Sequence, residues 1–371
     1  MSGALRARLR SLRARAGALR ARAQRSLPQW VTGPRPTPED VHFAYRLLLG
    51  REPDPAGLAH WLARIDQMSL DDLRVAFLQS EEYRRRQHAL LGAPREFVKP
   101  PLAPPVLSPL ASQLATQAQI DSVAYWRWCE EFDELPHYHR KQWEYVYLLQ
   151  ALAETGMLRP GARGLGFGVG LEPIPAVLAK HGCDVVVTDL GASAAEDKGW
   201  RASQQHAREL DELQRPKICS PDEFRARVRY RTQDMTALDD DLKRGDFDFV
   251  WSLCALEHLG SLQAGMRFVE QSLACVRPGG VAVHTTEYNL SSNDDTLTGG
   301  ATVVYRQRDI EALAGELARA GHEVRLNLHP GDGPLDRYYD VPPYRGSVQL
   351  KIELQRYVVT SLGLLIRTRA A

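Results

Sequence analysis

The first 30 residues of the chain are rich in leucine, alanine and arginine, which alternate with helical periodicity. Leucines and alanines recur on one stripe from residue 3 to residue 27, and arginines flank that stripe. This periodicity predicts a basic amphipathic helix within residues 1–30. Such a helix can make peripheral contact with an anionic membrane through residues 3–27, with arginines on the headgroups. A solvated basic tail, a helix packed on a partner and a cleaved targeting peptide are the alternatives.

A compact helical segment is predicted for residues 38–90. Thr37 followed by Pro38 is typical of a helix start, and Gly50 is typical of a helix end. Apolar residues then recur at helical spacing in three groups, which predict a small all-α domain. Its apolar positions are Tyr45, Leu48, Leu49, Leu58, Trp61, Leu62, Ile65, Leu70, Leu73, Phe77 and Leu78.

This segment resembles a small helical domain of unknown function that recurs in bacterial cell-surface and glycan-modifying proteins. Residues 45–58, Trp61 and residues 77–83 carry the resemblance. It implies no chemistry, and it suggests an interaction or positioning module that contacts a protein partner through residues 38–90. A plain helical spacer is the alternative.

Prolines concentrate in residues 92–112 and predict an extended linker before a second domain over residues 113–371. In this domain, β-branched apolar runs alternate with amphipathic helical patterns. That alternation is typical of an α/β fold with helices on both faces of a parallel sheet. The predicted strands are 164–166, 185–188, 228–233, 248–252, 281–285, 323–328 and one near 348–352; the predicted helices are 143–155, 174–181, 264–276 and 308–320.

Composition and net charge indicate which kinds of molecule the protein binds and in which compartment it works. The chain has 371 residues, of which 44% are hydrophobic and 25% charged, as in ordinary globular proteins. The net charge of +1 gives no indication of nucleic-acid binding. The five cysteines have no paired spacing, which favours a reducing compartment and gives no zinc motif. No stretch is long and apolar enough to span a bilayer. We therefore expect a cytoplasmic protein.

Glycines alternate with apolar residues from Gly164 to Gly170. Because glycine has no Cβ, the backbone can turn sharply there and a ligand can approach it closely. The next apolar run, residues 185–187, leads to Asp189. A glycine loop that opens a helix, followed by an acid at the end of the next strand, is the layout of a nucleotide or nucleoside site. In such a site the carboxylate accepts hydrogen bonds from ribose hydroxyls.

Residues 140–330 resemble class I S-adenosylmethionine-dependent methyltransferases. The resemblance rests on the glycine loop, on Asp189, on Gln233-Asp234 after the third strand, and on residues 247–280, which contain Glu257-His258 and end in Arg-Pro-Gly-Gly. A nicotinamide-binding fold would instead carry G-x-G-x-x-G. The resemblance implies a Rossmann-like doubly wound sheet and S-adenosyl-L-methionine as the cofactor.

Six residues at matching positions are implied to bind the cofactor. The glycines would line its methionine and ribose parts, the first aspartate would hold the ribose hydroxyls, the second would accept from the adenine amino group, and the methionine would pack on the ring. These residues are Gly166, Gly168, Gly170, Asp189, Asp234 and Met235.

One position departs from the pattern of the resemblance. Such enzymes usually carry an acid two residues before the first of these three glycines, and here that residue is Gly164. Glu172, just after the loop, is a candidate replacement, although an exposed acid near a helix start is an equal alternative. Arg140 or Lys141 is a candidate for contact with the cofactor carboxylate.

Methyl transfer to a hydroxyl oxygen benefits from a general base near the cofactor. His258, after the fourth strand, is the first candidate because a neutral imidazole is available near pH 7. Glu287, at the end of the fifth strand, is the second, and His284 lies in the same segment. Asp294, Asp295, Asp336 and Asp340 could hold a cation, but adjacent loop acids are usually solvated, so we predict no metal site.

Residues 164–173 and 284–290 also resemble methyltransferases encoded among bacterial polysaccharide genes. We therefore expect a methyltransferase that modifies a hydroxyl of a glycan or glycan precursor. The alternatives are a lipid or other small-molecule acceptor, and a non-catalytic methyltransferase fold that serves as a scaffold in a glycan-assembly complex.

Overall fold

The computed structural model describes residues 35–83, 103–190, 209–344 and 348–370. The chain divides into two compact units, residues 1–87 and residues 88–371. The predicted amphipathic helix at residues 3–27 lies outside the described residues. Within the described ranges, none of the helices has the length and apolarity needed to cross a membrane.

The smaller unit is helical, as its periodicity predicts. Thr37 caps the first helix, since its hydroxyl accepts a hydrogen bond from Asp40 N at 3.2 Å. Gly50 ends the following turn with φ of +68°. Trp61 stacks on Phe77 with ring centroids 4.9 Å apart. The elements are α1 (Pro38–Ala44), a π-helical turn (Tyr45–Leu49), α2 (Pro55–Leu62), a 3-10 turn (Ile65–Gln67) and α3 (Leu70–Leu78).

The larger unit is a sheet with helices on both faces. Its strands are β1 (Ser112–Leu114), β2 (Arg163–Phe167), β3 (Asp184–Asp189), β4 (Val228–Thr232), β5 (Phe247–Leu253), β6 (Val276–Asn289), β7 (Glu323–Val324), β8 (Leu326–Asn327), β9 (Ile352–Leu354) and β10 (Tyr357–Arg367). Its helices are α4 (Gln117–Ile120), α5 (Val123–Glu131), α6 (Arg140–Glu154), α7 (Ile174–Lys180), α8 (Pro221–Arg227), α9 (Leu262–Ser272) and α10 (Gln307–Arg319). Short 3-10 turns lie at Leu210–Leu213, Leu242–Arg244, Leu256–His258, Leu273–Cys275 and Pro334–Arg337.

The strand order is β4-β3-β2-β5-β6-β10-β1-β8, and β7 and β9 also pair with β10. Strands β2 to β6 are parallel to their neighbours within this group. The chain runs outward from β2 to β4 and then adds β5 on the other side of β2. This order confirms the predicted doubly wound α/β class. The carboxyl ends of β2 and β5 form a switch point, where open α/β sheets bind ligands.

Both faces of the central strands are buried. On β5, Phe249 and Trp251 belong to the apolar cluster that includes α6 and α7, whereas Val250 belongs to the cluster that includes α9 and α10. Successive side chains of a strand point to opposite faces, so a strand covered on both sides is apolar throughout. Because the central strands are packed on both faces, the loops at the carboxyl edge of the sheet are held on a rigid support.

The sheet is mixed, which corrects the prediction of a wholly parallel one. The sequence placed the last strand near residues 348–352, but the structure adds β10, which runs antiparallel to β6 over nine residue pairs. Ser361 and Gly363 interrupt the apolar run of β10 and obscure it in the sequence. Gly363 is required because a Cβ there would lie 2.3 Å from Cε1 of Tyr147. Pairing with β10 also extends β6 to Asn289, beyond the predicted 281–285.

The second half of the predicted proline-rich linker, residues 103–112, packs on the larger unit. Leu107 and Leu110 are buried in it, and Leu110 N donates a hydrogen bond to Glu154 at 2.9 Å. Strand β1 begins at Ser112. Because these apolar side chains are covered by the sheet and its helices, this stretch is part of the unit rather than an extended linker.

Candidate active site

A pocket of about 450 Å³ opens at the carboxyl edge of the sheet, above the switch point between β2 and β5. Its wall combines the loops after β2 and β5, the ends of β3, β4 and β6, and the first turn of α6. Most of the predicted site therefore converges in one place. The predicted residues that line the pocket are Gly168, Gly170, Asp189, Asp234, Met235, His258 and Glu287.

The glycine run has two different structural roles. Gly168 and Gly170 have φ of +59° and +55°, in the left-handed region that favours glycine. A Cβ on Gly168 would lie 2.9 Å from the Cβ of Ala255, so the loop passes close to the loop after β5. Gly166 instead lies within β2, where a Cβ would come 2.3 Å from Cζ2 of Trp251. Gly166 therefore packs against β5 and does not line the pocket, where the sequence had placed it.

Asp189 connects the end of β3 to the glycine loop. Its Oδ2 accepts a hydrogen bond from Gly170 N at 3.2 Å, and its Oδ1 accepts one from Leu190 N at 2.8 Å. An ionised carboxylate has about four acceptor sites, so it can also accept hydrogen bonds from the hydroxyls of a ligand. This geometry suits the predicted contact with ribose.

Asp234 and Met235 follow β4 on the same wall. Asp234 Oδ1 accepts hydrogen bonds from the backbone N and the Oγ1 of Thr236, both at 2.7 Å. The side chain of Met235 is buried, and its sulfur would lie 3.3 Å from a Cβ on Gly168. A carboxylate acceptor beside an apolar thioether surface suits a heteroaromatic ring that carries an amino group.

His258 lies in the 3-10 turn after β5, and its side chain is partly exposed. Its Nδ1 lies 2.7 Å from the carbonyl oxygen of Ala301. A carbonyl oxygen only accepts, so Nδ1 carries the proton and Nε2 of the neutral ring carries the lone pair. Nε2 lies 4.0 Å from Glu257 Oε1. In this tautomer Nε2 is the ring nitrogen that can accept a proton, as a general base requires.

Glu287 is held in a buried ion pair. Arg140 Nη2 donates to Glu287 Oε1 at 2.8 Å, and Lys141 Nζ lies 3.5 Å from the same oxygen. Burial alone would raise the pKa of Glu287, but the charges of Arg140 and Lys141 outweigh burial and lower it. Arg140 and Lys141, proposed above as contacts for the cofactor carboxylate, both line the pocket.

The pocket residues missed in the sequence include Glu144 and Cys254. Glu144, on the buried side of α6, accepts a hydrogen bond from Thr285 Oγ1 at 2.8 Å and one from Cys254 Sγ at 3.0 Å. Cys254 has φ of +47°, a left-handed conformation that is unusual for a residue with a Cβ. The sequence offered one indication that Glu144 is functional, namely an acidic residue on the apolar stripe of the helix predicted at residues 143–155. Nothing in the sequence singled out Cys254.

Glu257 lies beneath the pocket, completely buried. Its Oε2 accepts a hydrogen bond from Thr286 Oγ1 at 3.1 Å, whereas its Oε1 has no partner within hydrogen-bond distance among the described residues. Burial raises the pKa of this carboxyl. Its Oε1 lies 4.0 Å from Nε2 of His258, and a positive charge on the imidazole would favour the ionised carboxylate of Glu257, which would in turn stabilise the imidazolium.

The donor atoms of Cys254, Glu257 and Glu287 lie within 4.8 Å of one another. Arg140 and Lys141 neutralise Glu287, which disfavours a cation there. The loop acids named in the sequence do not join this cluster. Within the described residues, Asp295 pairs with Arg356, Asp336 lies 3.7 Å from the buried ammonium of Lys351, and Asp340 accepts from Val341 N.

His284 lies away from the pocket, on the opposite face of β6. It is completely buried between Ser252 Oγ at 2.8 Å and Ser272 Oγ at 3.1 Å. Burial lowers its pKa to about 3. His284, considered with Glu287 as a residue near the methyl acceptor, therefore lies outside the site, because the pleat of β6 turns alternate side chains away from the carboxyl-edge pocket.

Two parts of the chain match family models. Residues 165–284 match the methyltransferase domain, and residues 38–87 match a domain of unknown function, DUF4214. No curated protein matches the chain. The methyltransferase match spans the glycine loop, Asp189, Asp234 and His258. The larger unit is therefore that of an S-adenosylmethionine-dependent methyltransferase.

Solved structures with a similar chain path include two methyltransferases. The magnesium protoporphyrin IX methyltransferase from Synechocystis, with bound SAH, is 14% identical and has a TM-score of 0.38; the match covers 62% of this chain and 85% of that one. An S-adenosylmethionine-dependent methyltransferase from Mesorhizobium loti is 16% identical with a TM-score of 0.33; the match covers 58% of this chain and 95% of that one. At these scores no functional conclusion rests on either similarity.

The pocket fits S-adenosylmethionine, the cofactor of this class. Gly168 and Gly170 line the pocket without side chains, and Asp189 and Asp234 line it at the end of β3 and just after β4. Asp189 would hold the ribose hydroxyls, and Asp234 with Met235 would hold the adenine. The cofactor supplies a methyl group bound to a positively charged sulfur, and the protein positions the acceptor and excludes water.

Proposed function

We propose that this protein transfers a methyl group to a hydroxyl oxygen of a glycan or glycan precursor in polysaccharide biosynthesis. The observation that carries the proposal is the polarity of the pocket on the α6 and β6 side. Arg140, Glu287, Thr302 and His258 line that side with charged and hydrogen-bonding groups. Such a lining suits an acceptor rich in hydroxyl groups better than an acyl chain.

His258 is the proposed general base. The acceptor oxygen would gain the methyl group as the carbon–sulfur bond breaks and its electron pair stays on the cofactor sulfur. The hydroxyl proton would pass to Nε2 of His258, and Nδ1 would stay bonded to the Ala301 carbonyl. The resulting imidazolium is stabilised by Glu257, 4.0 Å away. The ion pair of Glu287 with Arg140 offers both donors and acceptors for neighbouring hydroxyls. The helical unit is proposed as an interaction module, and residues 3–27 as a peripheral membrane contact.

The test is methyl transfer by the full chain from radiolabelled S-adenosylmethionine. The acceptors offered are nucleotide sugars, oligosaccharides, phospholipid vesicles and an RNA oligonucleotide. Labelled sugar supports the proposal. Label in lipid or RNA would overturn the glycan acceptor, and tight cofactor binding without label in any class would favour the scaffold alternative.

The base assignment is tested by His258→Ala. We expect turnover to fall by about 10²–10⁴, with affinity for S-adenosylmethionine within about twofold of the wild type, because the cofactor contacts lie on the other wall. His181→Ala is the matched control, since His181 pairs with Glu131 and does not line the pocket. Unchanged turnover in His258→Ala would remove the histidine from the mechanism.

A further inference from the structure

We propose that Glu172 is the carboxylate that binds the α-ammonium group of S-adenosylmethionine, in place of the acid that the methyltransferase resemblance leads one to expect at Gly164. Two independent observations support this assignment. The expected position is closed by packing, and a different carboxyl group of the pocket wall is buried with an unpartnered oxygen.

The position of Gly164 is closed to any side chain. Gly164 pairs with Phe249 across β2 and β5. A Cβ on Gly164 would lie 2.4 Å from Cζ of Phe249 and 3.1 Å from Cγ1 of Val185. The phenyl ring thus occupies the space that an acidic side chain would need. If the cofactor's ammonium group has a carboxylate partner in this chain, that partner comes from elsewhere.

Glu172 lies two residues after Gly170 and lines the pocket. It is only 8% exposed. Its Oε2 is completely buried and has no hydrogen-bond partner among the described residues. An unsatisfied buried carboxyl group opposes folding. A ligand that donates a hydrogen bond to the carboxyl group from the pocket would stabilise its ionised form and offset that cost on binding.

The indole of Trp251 lies beside the Glu172 carboxyl and acts on it as a hydrogen-bond donor, which partly offsets the effect of burial on the pKa of Glu172. The contact falls outside hydrogen-bond geometry, since Trp251 Nε1 and Glu172 Oε2 are both buried without a hydrogen bond among the described residues. The indole therefore satisfies the carboxyl only in part. The loop holds the carboxyl at the pocket wall, next to the glycines that a nucleoside ligand approaches.

The charge around Glu172 selects a cation. Asp189 and Glu144 are its acidic neighbours, and Lys141 is the cationic neighbour that acts on it. Lys141 already lies 3.5 Å from both Glu144 and Glu287. A second ammonium group, brought by the ligand, completes the balance of charge there.

The experiment compares three ligands by calorimetry, on the full chain and without an acceptor. S-adenosylmethionine carries both ammonium and carboxylate groups, its decarboxylated form keeps only the ammonium, and 5′-methylthioadenosine has neither. We expect Glu172→Gln to weaken the binding of the first two ligands by roughly tenfold to a hundredfold, the range of a charged hydrogen bond. The affinity for 5′-methylthioadenosine should not change. Asp189→Asn should weaken all three, because all three carry the ribose.

The other outcomes overturn the proposal. Equal loss for all three ligands would mean that Glu172 shapes the whole pocket. Loss for S-adenosylmethionine alone would place Glu172 near the carboxylate, and no loss would mean that it touches none of these groups. The assay needs no methyl acceptor, so its result is independent of the glycan proposal.

Thermal unfolding supplies a second readout. Because Glu172 is only partly satisfied without ligand, the ligand-free Glu172→Gln variant should unfold at the same temperature as the wild type or higher. Glu209→Gln, at an exposed glutamate just before the 3-10 turn Leu210–Leu213, is the control for the substitution itself. A lower unfolding temperature for Glu172→Gln without ligand would indicate a structural role and overturn the assignment.

Discussion

Carboxyl groups in one pocket differ in charge because their neighbours differ. Glu287 lies against Arg140 and Lys141, which lower its pKa despite burial. Glu172 is buried, with Glu144 and Asp189 nearby, and its pKa is raised well above the usual range. The neighbours of Glu287 therefore favour its ionised form, whereas burial and the acidic neighbours of Glu172 favour its protonated form.

This contrast predicts proton release on cofactor binding. An ammonium group beside Glu172 would favour its ionised form, so we expect cofactor binding to release a proton from this carboxyl. At about pH 6 the ligand's own amino group, with a pKa of about 7.7–8.0, is already protonated. Calorimetry in two buffers of different ionisation enthalpy should show proton release for the wild type.

Glu172→Gln is the control for this measurement. It removes the titrating group and should remove the release. The charged groups that act on Glu172 from the neighbouring elements, Glu144, Asp189 and Lys141, stay in place in this variant. Equal proton release from both proteins would assign the proton to one of those groups.

At the scale of elements, β2 and β5 pack too closely for side chains on the glycines of β2. A Cβ on Gly166 would lie 2.3 Å from the Trp251 ring, which is itself fully buried. We expect Gly166→Ala to lower the free energy of unfolding by about 1–3 kcal/mol through overpacking. Urea denaturation measures this loss.

Gly315→Ala is the matched control for that substitution. Gly315 lies in α10, where a Cβ meets nothing within 4 Å. Alanine there should raise the free energy of unfolding by roughly 0.5–1 kcal/mol, because glycine is unfavourable inside a helix. Changes of opposite sign in the free energy of unfolding would identify overpacking as the cause of the loss in Gly166→Ala. An unchanged free energy of unfolding in Gly166→Ala would contradict this explanation.

His284 joins β6 to β5 and α9 through Ser252 and Ser272. Burial lowers its pKa to about 3. Between this value and the unfolded pKa, the histidine is protonated in the unfolded chain and neutral in the folded chain. Stability is complete above the unfolded pKa of about 6.5 and is lost as the pH falls below it, by up to about 1.4 kcal/mol per pH unit. Urea midpoints between pH 7 and pH 4 measure this slope.

His284→Gln removes the titrating ring. We expect its stability to depend less steeply on pH than that of the wild type below about pH 6.5, and the two curves to run parallel above pH 7. Equal slopes over the acid range would show that His284 does not contribute to acid unfolding.

At the scale of the whole molecule, the chain divides into two compact units at residues 87 and 88. Every residue that lines the pocket belongs to the larger unit. We expect residues 88–371 alone to bind S-adenosylmethionine with the affinity of the full chain, as calorimetry can measure. A loss of cofactor affinity in the shorter chain would contradict this division.

Some of these features could be predicted because they depend on neighbours in sequence. The cap formed by Thr37, the helix end at Gly50 and the apolar strands around the switch point follow from local pattern. Asp189 and Asp234 could be placed because strand ends of a parallel sheet share one edge. Long-range pairing could not be predicted, so β10 and the extension of β6 were missed.

The sequence by itself determined the α/β class, the helical unit and the set of residues at the carboxyl edge, because hydrophobic periodicity and turn chemistry are local. Only the tertiary structure decided which glycine lines the pocket and which packs on Trp251, and which face of β6 receives His284. It also decided that Phe249 closes the place of the expected acid while Glu172 lies buried beside the glycine loop. These outcomes depend on distances between strands and helices far apart in the chain, and packing alone fixes such distances.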